Sequence, residues 1–137
     1  MRLALAMFLV LSTSPAQTRD GGYIVIANPN LAGTEISGTD MRAIFLGAVT
    51  RVGGRSVQPV VARSGAAHKQ FVADRLGKTE TGLQNYFRTL VFTGKGSPPK
   101  SFATSLEIIA YVANTEGAIG YVSVGANLTG VVRLEPK

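Results

Sequence analysis

The order of elements written into this chain predicts an α/β fold, a mostly parallel sheet flanked by helices. Three observations carry that expectation. Tyr23-Ile24-Val25-Ile26-Ala27 is β-branched and apolar on both faces, segments of helical period alternate with strand-like runs, and Gly or Pro stands at the junctions between them. The alternation reads βαβααβ(β) over one domain, residues 17–137, with no internal repeat.

The first sixteen residues stand apart from this pattern. One positive charge at Arg2, an apolar run from Leu3 to Leu11 and the small residues Ser14-Pro15-Ala16 form a secretory signal peptide over residues 1–16. The run is shorter than the roughly 20 residues a membrane-spanning helix needs. Periplasmic or secreted localisation is expected, with no membrane insertion after signal removal. The chain has no cysteine, so thiolate chemistry and Cys-type zinc sites are excluded, and no cofactor or metal is expected.

Each later element has its own local signals. The run Tyr23–Ala27 reads as a central parallel strand, covered on both sides, that stops at Asn28-Pro29-Asn30. From Ser37 to Gly47 the period becomes helical: Ser37 and Asp40 have capping-box spacing, Met41, Ile44 and Phe45 share a face, and Gly47 ends the helix. Gly53-Gly54 marks a turn, and Val57 to Ala62 reads as a second strand. A helix then starts within Ser64-Gly65-Ala66 and runs to Leu76, with Gly77 beyond it.

A third helix, about Glu80 to Val91, carries Leu83, Tyr86, Phe87, Leu90 and Val91 at the spacing of a buried stripe. Phe92 to Lys100, with two glycines and Pro98-Pro99, reads as a turn. Thr104 and Glu107 then open a fourth helix, with Leu106, Ile109, Ala110 and Ala113 on its expected inner face and Gly117 at its end. Ala118–Val124 and Val131–Leu134 read as the last two strands.

The formal charge of +6 favours anionic partners. Lys and Arg are scattered and no basic helix is interleaved with aromatics, so no nucleic-acid partner is expected. The sharpest candidate for an anion is Arg63-Ser64-Gly65-Ala66, where a strand ending in Arg enters a helix N-terminus. Unpaired amides and the helix dipole favour negative charge there, Gly65 lets the backbone come close, and Arg63 offers a two-pronged donor. The plainer alternative is that Ser64 caps a helix and Arg63 is a solvated charge.

No complete catalytic set accompanies these residues. Ser64 lacks a Gly-x-Ser-x-Gly elbow, and His68, the only histidine, reads as a surface residue that attracts an anion when protonated. Enzymatic activity is not expected. Gly94-Lys95-Gly96-Ser97 has the Gly-Lys order of a phosphate loop but lacks its upstream glycine, and Pro98-Pro99 forbids the helix that should follow.

Two patches carry a resemblance. Phe92-Thr93-Gly94-Lys95-Gly96-Ser97-Pro98-Pro99, followed by a helix and then Gly117-Ala118-Ile119-Gly120-Tyr121-Val122, resembles the second lobe of the substrate-binding subunits of phosphate ABC transporters. Ala43-Ile44-Phe45-Leu46-Gly47 sits where that family ends a helix. The resemblance implies a single lobe of the type II periplasmic binding protein-like fold and binding of phosphate or another small oxyanion at Arg63, Ser64, Gly65 and Ala66. It also implies an ABC permease or another envelope protein as partner.

The chain departs from the family pattern in three ways. Arg63 abuts Ser64, where the family leaves about three residues between them; Ala66 stands in place of a threonine; and only one lobe is present. Either a partner supplies the other half of the ligand shell, or the chain is a non-catalytic interaction module that has lost its ligand.

Overall fold

A computed structural model describes residues 22–136, so the signal-peptide reading lies outside the described residues. Strand β1 (Tyr23–Ala27) leads through a 3-10 turn at Pro29–Leu31 to helix α1 (Gly38–Phe45). A small hairpin, β2 (Arg51–Val52) and β3 (Arg55–Ser56), turns on Gly53 and Gly54, both at positive φ. Strand β4 (Gln58–Ala62) then enters helix α2 (Ala66–Phe71), which widens into a π-helical turn at Val72–Leu76 before left-handed Gly77. Helix α3 (Glu80–Phe92), strand β5 (Lys100–Phe102), helix α4 (Ser105–Asn114), and strands β6 (Ala118–Ser123) and β7 (Val132–Leu134) complete the order.

Five strands form one sheet in the order β5-β4-β6-β1-β7. β4 is parallel to β5 and β6, whereas β1 is antiparallel to β6 and β7, so four strands share a direction and β1 opposes them. The expected mostly parallel sheet flanked by helices is present. The expectation of a parallel β1 is corrected: it is central but reversed. Its doubly apolar pattern reports cover on both faces, which does not require parallel neighbours. Val25 and Ala27 join the core under α1 and α2, and Ile26 joins the core under α4.

Local capping explains where the helices begin. Ser37 Oγ accepts from Asp40 N–H at 3.0 Å while the Asp40 carboxylate accepts from Ser37 N–H at 3.1 Å, the reciprocal box the spacing predicted. Thr79 and Thr104 cap α3 and α4 through their hydroxyls alone, without the reciprocal bond. The turn Asn28-Pro29-Asn30 also acts as a clamp. Buried Asn28 donates to the carbonyls of Val112 and Ala113 at the end of α4, and Asn30 Oδ1 accepts from Gly117 N–H at 2.9 Å.

Two expected faces are corrected. On α4 the buried residues are Ile108, Ile109 and Val112, while Leu106 is 77% exposed and Ala110 is also outside. Gly120 explains the rotation. A Cβ there would lie 2.8 Å from Val60 Cγ2 and 3.0 Å from Ile108 Cγ2, so α4 seats Ile108 over the missing side chain.

On α3 only Leu83 is buried; Tyr86, Phe87 and Leu90 are half-buried and Val91 is exposed. This helix lies on loops. The Tyr86 hydroxyl donates to Leu46 O at 2.7 Å, and Leu90 packs against the space left by Gly96. The turn before Lys100 is present, but β5, which directly follows it, has no alternation long enough to announce a strand.

Candidate functional site

The carboxyl ends of β4 and β6 face the same opening. Beyond Ala62 the chain passes through Arg63 and Ser64 to Gly65, whose φ of 107° and ψ of 168° belong to a region open essentially to glycine alone. That conformation lets α2 begin abruptly at Ala66. No side chain caps α2, whereas α1, α3 and α4 are each capped by a Ser or Thr oxygen. The first amides of a helix have no intrahelical acceptor, so those at Ala66 and Ala67 stay available.

A cavity of about 240 Å³ lies at this opening. Ser64, Gly65, Ala66 and Ala67 form one side, Thr104 and Ser105 the other, and Ser123 the end of β6. On the α4 side the backbone amides are already paired: Glu107 N–H donates to Thr104 Oγ1, Ala103 N–H to the Glu107 carboxylate at 3.0 Å and Ser123 N–H to Ser105 Oγ at 3.2 Å, which leaves the Thr104 and Ser105 O–H groups free to donate. The cavity therefore gathers two kinds of donor, the first amides of α2 and the hydroxyls of Ser64, Thr104, Ser105 and Ser123. Arg63 does not line this cavity; it lines an adjoining one with Glu80, Gln84 and Arg88.

The floor is a buried polar chain. Tyr121, 1% exposed, accepts from Ala62 N–H at 3.2 Å and shares a hydrogen bond with His68 Nδ1. The other ring nitrogen, Nε2, lies 3.9 Å from Glu80 Oε1; the carboxylate favours the proton of neutral His68 on Nε2, which leaves Nδ1 to accept from the Tyr121 hydroxyl. The reading of His68 as a surface residue is thus corrected: it is 7% exposed and its ring is held from both sides. Ser64 precedes Gly65 and lies outside the helix, so the two are not a nucleophile and base on one helical face.

Burial pushes the His68 pKa below the ordinary imidazole value, and the neighbouring Glu80 opposes the shift. The same burial raises the Tyr121 phenol pKa. Unfolded His68 takes a proton near pH 6.5, while the folded chain resists until lower pH. His68 therefore contributes stability that is present above about pH 6.5 and is lost as pH falls through the lowered folded value. Thermal melts between about pH 7.5 and pH 5 should show a falling midpoint, and His68→Gln, which keeps an acceptor for Tyr121, should flatten the fall. An equal fall in both proteins would assign the effect to other groups.

No protein-family model matches the sequence, and no curated protein matches it. Solved structures do match. An ABC-type phosphate transport receptor from Vibrio cholerae superposes with a TM-score of 0.63 at 13% identity, over 83% of this chain and 45% of the receptor. A Clostridium perfringens protein with bound phosphate gives 0.62 at 17%, over 84% and 44%, and PstS from Borrelia burgdorferi gives 0.59 at 18%, over 84% and 47%. The fold is that of one lobe of such a receptor. This lobe spans a little under half the length of each of them.

Within the lobe, sequence reasoning found Ser64, Gly65 and Ala66 at one cavity but missed Thr104, Ser105, Tyr121 and Ser123 across it. Thr104 had announced itself only as a helix cap. Among the described residues, no group of three or more acidic or histidine side chains is placed to hold a metal ion, and no helix is long and apolar enough to cross a membrane.

Proposed function

We propose that this chain is an exported lobe that binds phosphate or a closely related oxyanion without turning it over, in association with an ABC permease or another envelope protein. The observation that carries the reading is the cavity at the carboxyl ends of parallel β4 and β6, where the uncapped start of α2 meets the hydroxyls of Ser64, Thr104, Ser105 and Ser123. Ligands of open α/β sheets gather at that edge, and amides at a helix start suit an anion. The likeness to phosphate-transport receptors points the same way.

Ala66 supplies the test. A threonine there adds a hydroxyl at the mouth of the cavity, and a hydrogen bond to a charged group contributes roughly 1.5 to 3 kcal/mol. Calorimetric titration with phosphate should give about tenfold or greater tightening in Ala66→Thr and no heat in Ser64→Asp. Equal binding by wild type, Ala66→Thr and Ser64→Asp would sink the proposal.

One observation favours the interaction-module reading as well. Leu106 and Val124, next to Ser105 and Ser123 of the cavity, are 77% and 61% exposed. Apolar side chains beside a polar cavity fit a face that another protein covers.

A further inference from the structure

A second cavity, of about 400 Å³, lies between the end of β4, the first turns of α3 and the Pro98–Ser101 segment. Ala62 and His68 line both it and the hydroxyl-lined cavity, so the two adjoin across the end of β4. Half of its lining is apolar, with Val61, Leu83, Phe87, Pro98 and Pro99 alongside the polar Gln84 and Ser101. Arg63 and Arg88 also line it, and among the described residues neither guanidinium has a hydrogen bond or ion pair. The one carboxylate present, Glu80, lies beside His68.

Bare phosphate has no use for this second space. Apolar walls gain from covering an organic body, and an unpaired guanidinium binds a carboxylate or phosphoryl group two-pronged and stacks on flat groups. We infer that the ligand is an organic phosphate, a monoester whose phosphoryl group sits against Ser64–Ala67 and whose apolar body, bearing a second anionic group, lies between Phe87 and the guanidiniums of Arg63 and Arg88. The inference rests on the proposed oxyanion pocket and names its ligand class.

Calorimetry on the full chain separates the two readings, with inorganic phosphate, phenyl phosphate and 4-carboxyphenyl phosphate as probes. Affinity is expected to rise in that order, by at least about tenfold from first to last, which is about 1.4 kcal/mol. Arg88 is exposed, so Arg88→Ala should leave the fold intact by circular dichroism. It should remove most of the gain from the carboxylate while changing inorganic phosphate affinity by less than about twofold. If phosphate binds and the esters bind no tighter, or if Arg88→Ala weakens all three probes equally, the ligand class is wrong and the oxyanion pocket stands. If none of the three binds, the pocket itself is refuted and the inference with it.

Discussion

Gly117→Ala is expected to cost more than about 4 kcal/mol, a large part of the roughly 5–15 kcal/mol that holds a typical domain folded. Gly117 has a φ of 77°, and a Cβ built on it would lie 2.1 Å from the carbonyl oxygen of Ser56. The backbone has no room to withdraw. Its N–H donates to Asn30 Oδ1 at 2.9 Å and its carbonyl accepts from Gln58 N–H at 2.8 Å, tying the start of β6 to both β1's turn and β4.

Gly33→Ala is the control, because Gly33 has a similar φ of 78° with nothing within 4 Å of the added carbon. It should lose only the left-handed backbone term of about 1–2 kcal/mol. Urea unfolding followed by far-ultraviolet circular dichroism measures both variants. Equal losses would show that the Ser56 contact relaxes freely.

Tyr121 is the second position of large effect, and two substitutions divide it. The ring stacks on Phe71 with centroids 3.9 Å apart and tilts against Phe45 at 5.9 Å. Tyr121→Ala empties the centre of the larger core cluster and should cost about 3–5 kcal/mol. Tyr121→Phe keeps the ring but leaves Ala62 N–H and His68 Nδ1 without their partner; each stranded group costs roughly 1–3 kcal/mol. Denaturant midpoints of the two variants separate packing from hydrogen bonding. A Phe variant as stable as wild type would mean that water replaces the hydroxyl.

The pattern of elements was legible in the sequence because local chemistry sets their limits. Ser37 with Asp40, Thr104 with Glu107, and the glycines at 47, 77 and 117 act within a few residues, where spacing can be read directly. The direction of β1 was not legible, since burial on both faces is common to parallel and antiparallel centre strands. The inner face of α4 was misread because Gly120, on a different element, decides which side chains fit beneath the helix. α3 looked like core because its spacing is amphipathic, yet its neighbours are loops that leave Val91 and Phe92 outside.

The candidate site was half legible for a related reason. Ser64-Gly65-Ala66 is a local signal, but the His68–Tyr121 bond joins residues 53 apart, and no periodicity records it. Arg63 and Ser64 are neighbours that part company. Both lie in the bend between β4 and α2, where no regular period fixes side-chain direction, and they line different cavities.

Strand β6 is the sixth to be synthesised and yet it lies in the middle of the sheet, between β4 and β1. Until Ser123 has left the ribosome, the two halves of the sheet have no common neighbour and the cavity has no floor. Such distant pairing makes for slow assembly. An anion that binds there recognises only the finished molecule, and its capture would draw late-folding chains toward completion by mass action.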